Sequence, residues 1–444
     1  MSGFGVSNIT KLERVNEFCK TRGPDLTTIK IVNDVQFLHN LLHITGEFTP
    51  QPFINGDVAC VLDGEIYNYK SFGNYKSDGE CILDLYSKEG ELFVKQLDGE
   101  FALCLIDFAK NKIIIANDTF GCKPLWYEFT NENFVVASYN SQLIKLGLTQ
   151  GNKLKSNTTK VYNLRTLTQT NQYQNQIFNL NQHKTNFDDW IDAFQLSISK
   201  RTQNTKQGIF IGLSSGYDSG AIACEFTKQN IDFKGYSITS GVRNYNENKR
   251  VLDERCSILK NTETIDLHPA ELIKWQTELI NNCEEFTYYD SRQPTPGRQR
   301  YNIVYDHAAM GLCEICHRAN NDKLKIYFSG HGADEIFADY GFGGKNVFKV
   351  QHVLHYSQFG GLFPTKLEGF FPWHSFWDGT QMMYLNKEEY VSGHFGIETR
   401  YPFLDSNLIQ EFLWLDSKLK NSNYKSVLHE YLTVNNFPFN PRAV

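Results

Sequence analysis

The chain has 444 residues, 41% of them apolar and 14% aromatic, with 12 prolines; this composition excludes a disordered or fibrous protein, and the length predicts two domains of roughly 100–200 residues. A formal charge of −6 and a pI near 6.1 give no electrostatic ground for nucleic acid or an anionic membrane as partner. No window approaches the roughly 18 apolar residues that span a bilayer, and no basic flank leads an apolar run at Met1, so a cytoplasmic protein with small-molecule or peptide partners is expected, with a homodimer left open.

From Gly3 to about Leu148 the sequence breaks into short strand-like runs separated by Gly, Asn and Asp. Val58 to Leu62 reads as a strand ending before Asp63-Gly64, and Phe101 to Asp107 with Lys112 to Ala116 as a buried hairpin. Cys81 to Lys88 reads as a helix. Thr166 to Lys184, rich in Asn, Gln and Thr, reads as the connection between domains. Beyond it a helix starts at Phe187, and strands at Gly208 to Leu213, Phe233 to Thr239, Thr264 to Leu267 and Lys325 to Phe328 alternate with helices. That alternation predicts a parallel sheet covered by helices. The ten cysteines are scattered and read as reduced core residues. Cys313-Glu314-Ile315-Cys316-His317 matches a haem-attachment spacing, but it falls inside a helical segment, Tyr301 to Arg318.

Two segments carry chemistry. Leu213-Ser214-Ser215-Gly216-Tyr217-Asp218-Ser219 follows a buried strand and opens a helix, where small side chains let backbone N–H groups turn toward an anion. Asp218 beside a polyphosphate implies a bridging Mg²⁺. Ile326 to Glu335 repeats the pattern: a strand, the turn Ser329-Gly330-His331-Gly332, and an acidic helix start with Asp334. Two such turns on neighbouring strands would face one site.

These segments, with Gly396-Ile397-Glu398-Thr399-Arg400-Tyr401-Pro402-Phe403-Leu404-Asp405 and with Lys425 in Tyr424-Lys425-Ser426-Val427-Leu428, resemble the asparagine synthetase family. The resemblance implies an α/β protein: an N-terminal α+β sandwich of the class II amidotransferase type over 1–183, then a parallel-sheet ATP-pyrophosphatase domain over 184–444. It implies adenylation of a carboxylate by ATP with Mg²⁺, followed by attack of an amine that releases AMP. Carried over by position, Ser214, Ser215, Gly216, Asp218 and Ser219 hold the phosphates and Asp218 and Asp334 the metal. Leu213 and Ile238 border the adenine, Ser329 and Gly330 the ribose, and Lys425 neutralises charge at the α-phosphate. His331 stands where relatives carry glutamate or tyrosine; its ordinary pKa suits a base acting on the amine, oriented by Glu398.

Arg22 to Asp25, Gln51-Pro52, Asp63 to Asn68, Ser77 to Glu80 and Asp118 to Leu125 resemble the glutamine amidotransferase domain of that family. The family's N-terminal cysteine falls at Met1 or Ser2, its carboxylate-gripping arginine at Leu41, and its oxyanion asparagine at Asp63, whose charge would repel an oxyanion. Cys19 lies on a helix and cannot replace the nucleophile. Three losses predict an inactive glutaminase and an amine that does not come from glutamine, as in β-lactam synthetases and lasso-peptide cyclases, with ring closure within one substrate left open. The aromatic stretch Gly341 to Tyr390, with Phe363, Phe370, Phe371, Trp373, Phe376 and Trp377, is expected to wall a bulky acyl substrate. The competing readings are an ammonia-dependent asparagine synthetase, an ATP-pyrophosphatase acting on tRNA, and a non-catalytic nucleotide-binding homologue.

Overall fold

The computed structural model describes residues 2–149, 151–239, 245–289, 300–339, 359 and 362–441. Its first half is a sandwich of two antiparallel sheets. The strands are β1 (Ser2–Ser7), β2 (Leu26–Val32), β3 (Val35–Leu41), β4 (Phe53–Asn55), β5 (Val58–Ile66), β6 (Gly99–Asp107), β7 (Lys112–Asn117), β8 (Trp126–Phe129), β9 (Phe134–Ala137), β10 (Asn152–Lys153), β11 (Thr158–Asn163) and β12 (Gln169–Gln174). One sheet runs β10-β8-β9-β1-β3-β2 and the other β12-β11-β7-β6-β5-β4. Alternate residues of the inner strands, among them Phe4, Val6, Phe37, Val61, Cys104 and Ile115, meet in the core between the sheets. Helices α1 (Glu17–Arg22), α2 (Cys81–Glu89) and α3 (Asn140–Lys145) cover the outside.

The second half is a parallel sheet in the order β15-β14-β13-β18-β19, built from β13 (Gly208–Gly212), β14 (Lys234–Ile238), β15 (Thr262–Ile265), β18 (Leu324–Phe328) and β19 (Glu398–Arg400). A small hairpin, β16 (Thr287–Tyr289) with β17 (Arg300–Asn302), stands apart from it. Helices α4 (Asp188–Thr202), α5 (Tyr217–Lys228), α6 (Tyr245–Ile258), α7 (Pro269–Asn282), α8 (His307–Asn321), α9 (Ala333–Phe337), α10 (His374–Trp377) and α11 (Thr380–His394) wrap it. The two-domain α/β architecture expected from the sequence is therefore present, and one apolar cluster crosses the junction: Leu42, Phe120 and Cys122 of the sandwich pack with Trp190, Phe328 and Phe403 of the second domain. No described helix is long and apolar enough to cross a membrane.

Local readings need four corrections. β5 does not stop at Asp63-Gly64 but continues to Ile66 against β6; Gly64 sits at φ +122° with the Glu100 carbonyl so close that a Cβ would lie 1.9 Å from it, so this glycine keeps the ladder rather than turning it. The polar segment after Thr166 contributes β12, an exposed edge strand whose side chains need no apolar pattern. α8 starts at His307, capped by Asp306, because Arg300–Asn302 is already spent in the hairpin. β15 lies two residues earlier than its apolar run suggests, since Thr262 pairs with Gly235. The ten cysteines are all free thiols, Cys313 and Cys316 buried on α8 among them.

Candidate active site

The turn after β13 and the turn after β18 lie side by side because their strands are neighbours. Contact is so close that a Cβ on Gly330 would stand 2.7 Å from the Asp218 Cβ, so only glycine lets the loops meet there. Within the first loop, Ser219 Oγ accepts from Ser214 N at 3.0 Å and Ser214 Oγ accepts from Gly216 N at 3.2 Å. The first helix residue, Tyr217, is buried and its hydroxyl meets His429 Nδ1 at 3.0 Å. Ser215 does not turn its hydroxyl toward the open side as its sequence position suggested: Ser215 Oγ donates to Asn248 Oδ1 at 2.8 Å.

Between the loops sits Lys425, its side chain fully buried. It precedes the helix Ser426–Val434 in a left-handed conformation, φ +48°. Its Nζ lies 2.7 and 2.8 Å from the two Asp218 oxygens and 2.6 Å from Asp334 Oδ1, while Tyr424 OH donates to the same Asp334 oxygen at 2.8 Å. Two carboxylates therefore share one ammonium. Burial, with Asp334 alongside and despite Lys425, pushes the Asp218 carboxyl up to about 7; against the same burial, Asp218 and Asp334 hold the Lys425 ammonium above its ordinary value. The surplus negative charge is what a divalent cation would neutralise. Magnesium is characteristically held by one or two carboxylates plus substrate phosphates, and these two donors fit that pattern; among the described residues, no group of three or more His, Cys, Asp or Glu could hold a metal ion by itself.

Leu213 is buried beneath the first loop, its N–H donating to Tyr236 O at 2.7 Å. Ser329 Oγ accepts from His331 N at 3.0 Å. Ile238, at the end of β14, lines a cavity of about 680 Å³ with Leu267, Leu272, Ile315, Tyr327, Lys387 and Glu388. This cavity, rather than the aromatic stretch, lies beside the ends of β14 and β18. Phe363, Phe371, Trp373, Phe376 and Trp377 pack on one another and on Phe120, Phe178 and Phe412, and Trp373 Nε1 donates to Glu335 O at 2.8 Å. Such large rings gain more from one another at the domain junction than from an open pocket; Phe370 is the half-exposed exception. Residues 341–358, 360 and 361 of that stretch lie outside the described residues, as does Met1.

His331 and Glu398 are not brought together. The His331 ring is buried, Nε2 donating to Gln381 O at 3.1 Å and Nδ1 3.7 Å from Glu335, with Tyr384 and Tyr401 edge-on. Burial lowers its pKa to about 4, so the imidazole is neutral at working pH and supplies no titration near 6–7. His331→Gln, which keeps a donor for Gln381 O, is expected to retain pyrophosphate release within about tenfold, with the pH–rate profile from 5.5 to 8 unchanged. A lost or displaced limb in that profile would restore the base.

Glu398 instead faces the sandwich. Its Oε1 accepts from Arg400 Nε at 2.7 Å, and Arg400 Nη2 reaches Glu65 at 3.6 Å. Burial would raise the Glu398 carboxyl, but the surrounding positive charge, Arg400 and Lys123 included, holds it down to about 2. Tyr401 N donates to Glu100 Oε1 at 3.0 Å, and Arg201 bridges Glu100 and Asp405. The segment Gly396 to Asp405 is thus a docking strip between the domains.

At the start of β1, Ser2 N donates to Asp63 Oδ1 at 2.8 Å. Arg22 Nε donates to Ser2 O at 2.7 Å and to Asp63 Oδ2 at 2.9 Å. Asp63 is therefore paired with a buried guanidinium, which offsets the repulsion its charge would exert. Cys19 lies beneath Gly3, and burial pushes its thiol up to about 12, which keeps it from acting as a nucleophile. Sequence reasoning passed over Arg22's partner Glu389 and the Lys123 that shares it, and also Arg255, Asn248 and Asn440 behind the first loop; nothing local marks them, because each acts across a long sequence separation.

A glutamine amidotransferase domain model matches residues 2–190 and an asparagine synthase model residues 189–370. The chain is 26% identical over 435 residues to putative asparagine synthetase (glutamine-hydrolyzing) 1 of Methanocaldococcus jannaschii, covering 88% of this chain and 71% of that one. It is 25% identical over 438 residues to asparagine synthetase (glutamine-hydrolyzing) 2 of Oryza sativa subsp. japonica, covering 94% and 69%. A shorter match to asparagine synthetase (glutamine-hydrolyzing) 2 of Bacillus subtilis, 37% over 128 residues, covers 26% of this chain and 17% of that one. These findings overturn the expectation of an amine unrelated to glutamine: the first domain matches an amidotransferase along its length, and the relatives spanning both domains carry glutamine hydrolysis in their names.

Proposed function

Taking as premise that this chain belongs to the asparagine synthetase family of ATP-dependent carbon–nitrogen ligases, we propose that it adenylates a small-molecule carboxylate and amidates it with nitrogen drawn from glutamine. The observation that carries this reading is the meeting of the two loops over Lys425, where an ammonium fixed by Asp218 and Asp334 stands beside a helix N-terminus. In the division of labour proposed here, residues 1–183 release the nitrogen and residues 184–444 activate the carboxylate.

Ser214, Ser215, Gly216, Asp218 and Ser219 receive the phosphates, Leu213 and Ile238 border the adenine, and Ser329 and Gly330 border the ribose. Asp218 and Asp334 would hold Mg²⁺, which supplies neutralisation of the pyrophosphate charge. Lys425 stabilises charge developing at the α-phosphate as the carboxylate oxygen attacks and pyrophosphate leaves. The acyl carbon then takes the amine and AMP departs. The cavity that Ile238 lines would take the adenine, and His331, donating to Gln381 O, stays a neutral hydrogen-bonding group. A cytoplasmic protein without a nucleic-acid partner accords with the charge of −6.

For the nitrogen, the side chain proposed to attack the glutamine amide is Ser2, in a chain processed so that the Ser2 amine is free. Its Oγ bonds to the amide carbon as ammonia leaves, and water then cleaves the ester to glutamate, with the Ser2 amine as base beside Asp63. The test combines ATP, Mg²⁺, glutamine and a panel of carboxylates, and measures pyrophosphate and glutamate together. Matched, carboxylate-dependent release of both is expected. Ser2→Ala is expected to abolish glutamate formation and spare synthesis from ammonium. Pyrophosphate release supported by ammonium but never by glutamine would sink the glutamine step, and none with any carboxylate would sink the ligase.

A further inference from the structure

Three consecutive carbonyls of the first loop are held from behind. Arg255, on α6, donates from Nη1 to Ser214 O and from Nη2 to Gly216 O at 2.8 Å, while Asn440 N donates to Ser215 O at 2.9 Å. The two anchors belong to one assembly. Arg255 Nε donates to Pro438 O at 2.8 Å and its guanidinium lies over the Phe437 ring, 5.6 Å from the centroid. Asn440 Nδ2 and Ser215 Oγ both donate to Asn248 Oδ1 at 2.8 Å. Gly220 makes room for the guanidinium on α5, since a Cβ there would stand 2.1 Å from Arg255 Nη2.

In a trans peptide unit the N–H points opposite to the C=O. Fixing the carbonyls of 214, 215 and 216 toward α6 and the tail therefore turns the N–H groups of Ser215 and Tyr217 the other way, away from α6 and the tail, while the Gly216 N–H is held by Ser214 Oγ at 3.2 Å within the loop. Among the described residues, the hydrogen bonds of Arg255, a fully buried cation, go to three carbonyls and to no carboxylate, with the Asp218 charge only partly offsetting its burial. A buried charge is costly unless compensated, and an anion bound on the far side of the loop would compensate it.

We propose that Arg255, clasped by the segment Phe437 to Asn440, is the positioning residue that shapes the Ser214 to Ser219 loop into a pyrophosphate cradle, selecting for the β- and γ-phosphates rather than for the nucleoside. The proposal rests on the nucleotide-site reading above and adds to it a residue that touches no substrate. Its signature is selective: affinity for ligands carrying a pyrophosphate depends on Arg255, and affinity for AMP does not.

The experiment titrates inorganic pyrophosphate with Mg²⁺, and separately AMP, into the full chain by calorimetry, for the unaltered protein, Arg255→Met and Arg255→Lys. Pyrophosphate affinity is expected to fall about tenfold to a hundredfold in Arg255→Met, as for lost charge-assisted hydrogen bonds, with AMP affinity changed less than about threefold. Arg255→Lys is expected to recover little, because one ammonium cannot serve three carbonyls in a planar fork; it also decides the matter if Arg255→Met does not fold. Equal losses for both ligands, or none, overturn the proposal. Failure of the unaltered protein to bind either ligand overturns the nucleotide-site reading instead.

Discussion

Lys425→Met is expected to cut carboxylate-dependent pyrophosphate release by about 10²–10³-fold, the scale on which removing one fixed transition-state partner acts. The side chain is fully buried and held by two carboxylates from different loops, so its ammonium cannot wander and costs no reorganisation when charge builds on the α-phosphate. The fold should survive. Methionine fills the same stem volume and meets the left-handed backbone at φ +48° no worse than lysine, while Asp218, already pushed up to about 7 by burial, takes a proton rather than remain an unpaired charge. Steady-state pyrophosphate release read beside a thermal melt checks this. A variant within about tenfold of the parent would remove Lys425 from the chemistry.

The loops were legible because each is a local pattern: a buried strand, a run of small residues and an acidic helix start lie within ten residues, and adjacency of the strands brings them together. Lys425 was legible only through resemblance, since a lysine before a helix is ordinary. The pairing of His331 with Glu398 failed for a geometric reason. β19 pairs with β18 in parallel, Ile326 opposite Glu398, so Glu398 sits beside the body of β18 and turns to the sandwich, whereas His331 lies beyond the strand's end. The aromatic stretch misled because composition records ring count and not what the rings meet. The glutamine step was misjudged residue by residue: Asp63 reads as a charge in the wrong place until Arg22, 41 positions away, is seen beside it.

Glu389→Gln should separate the two nitrogen sources, leaving ammonium-supported synthesis near the parent rate while glutamine-supported synthesis falls at least tenfold. Glu389, on α11 of the second domain, accepts from Arg22 through both its carbonyl, at 3.0 Å, and its carboxylate, at 2.5 Å. Its other oxygen takes Lys123 Nζ at 2.7 Å and Tyr401 OH at 3.0 Å. All of these side chains are buried. Removing the charge leaves Lys123 with the Thr399 carbonyl and lets Arg22 relax toward Asp63, which shifts Ser2 because the same guanidinium holds the Ser2 carbonyl. Breaking one side of a buried ion pair costs about 3–5 kcal/mol, which chemical denaturation would read as a lower midpoint. The neighbouring Glu388 lines the same cavity as Ile238, so the helix that carries both residues reaches from the domain junction to that cavity. Activity from ammonium should nevertheless persist, because the bonds around Lys425, Asp218 and Asp334 do not pass through Glu389. Equal loss with both donors would show that Glu389 supports the fold alone, and an unchanged denaturation midpoint would show that the network carries no net charge dependence.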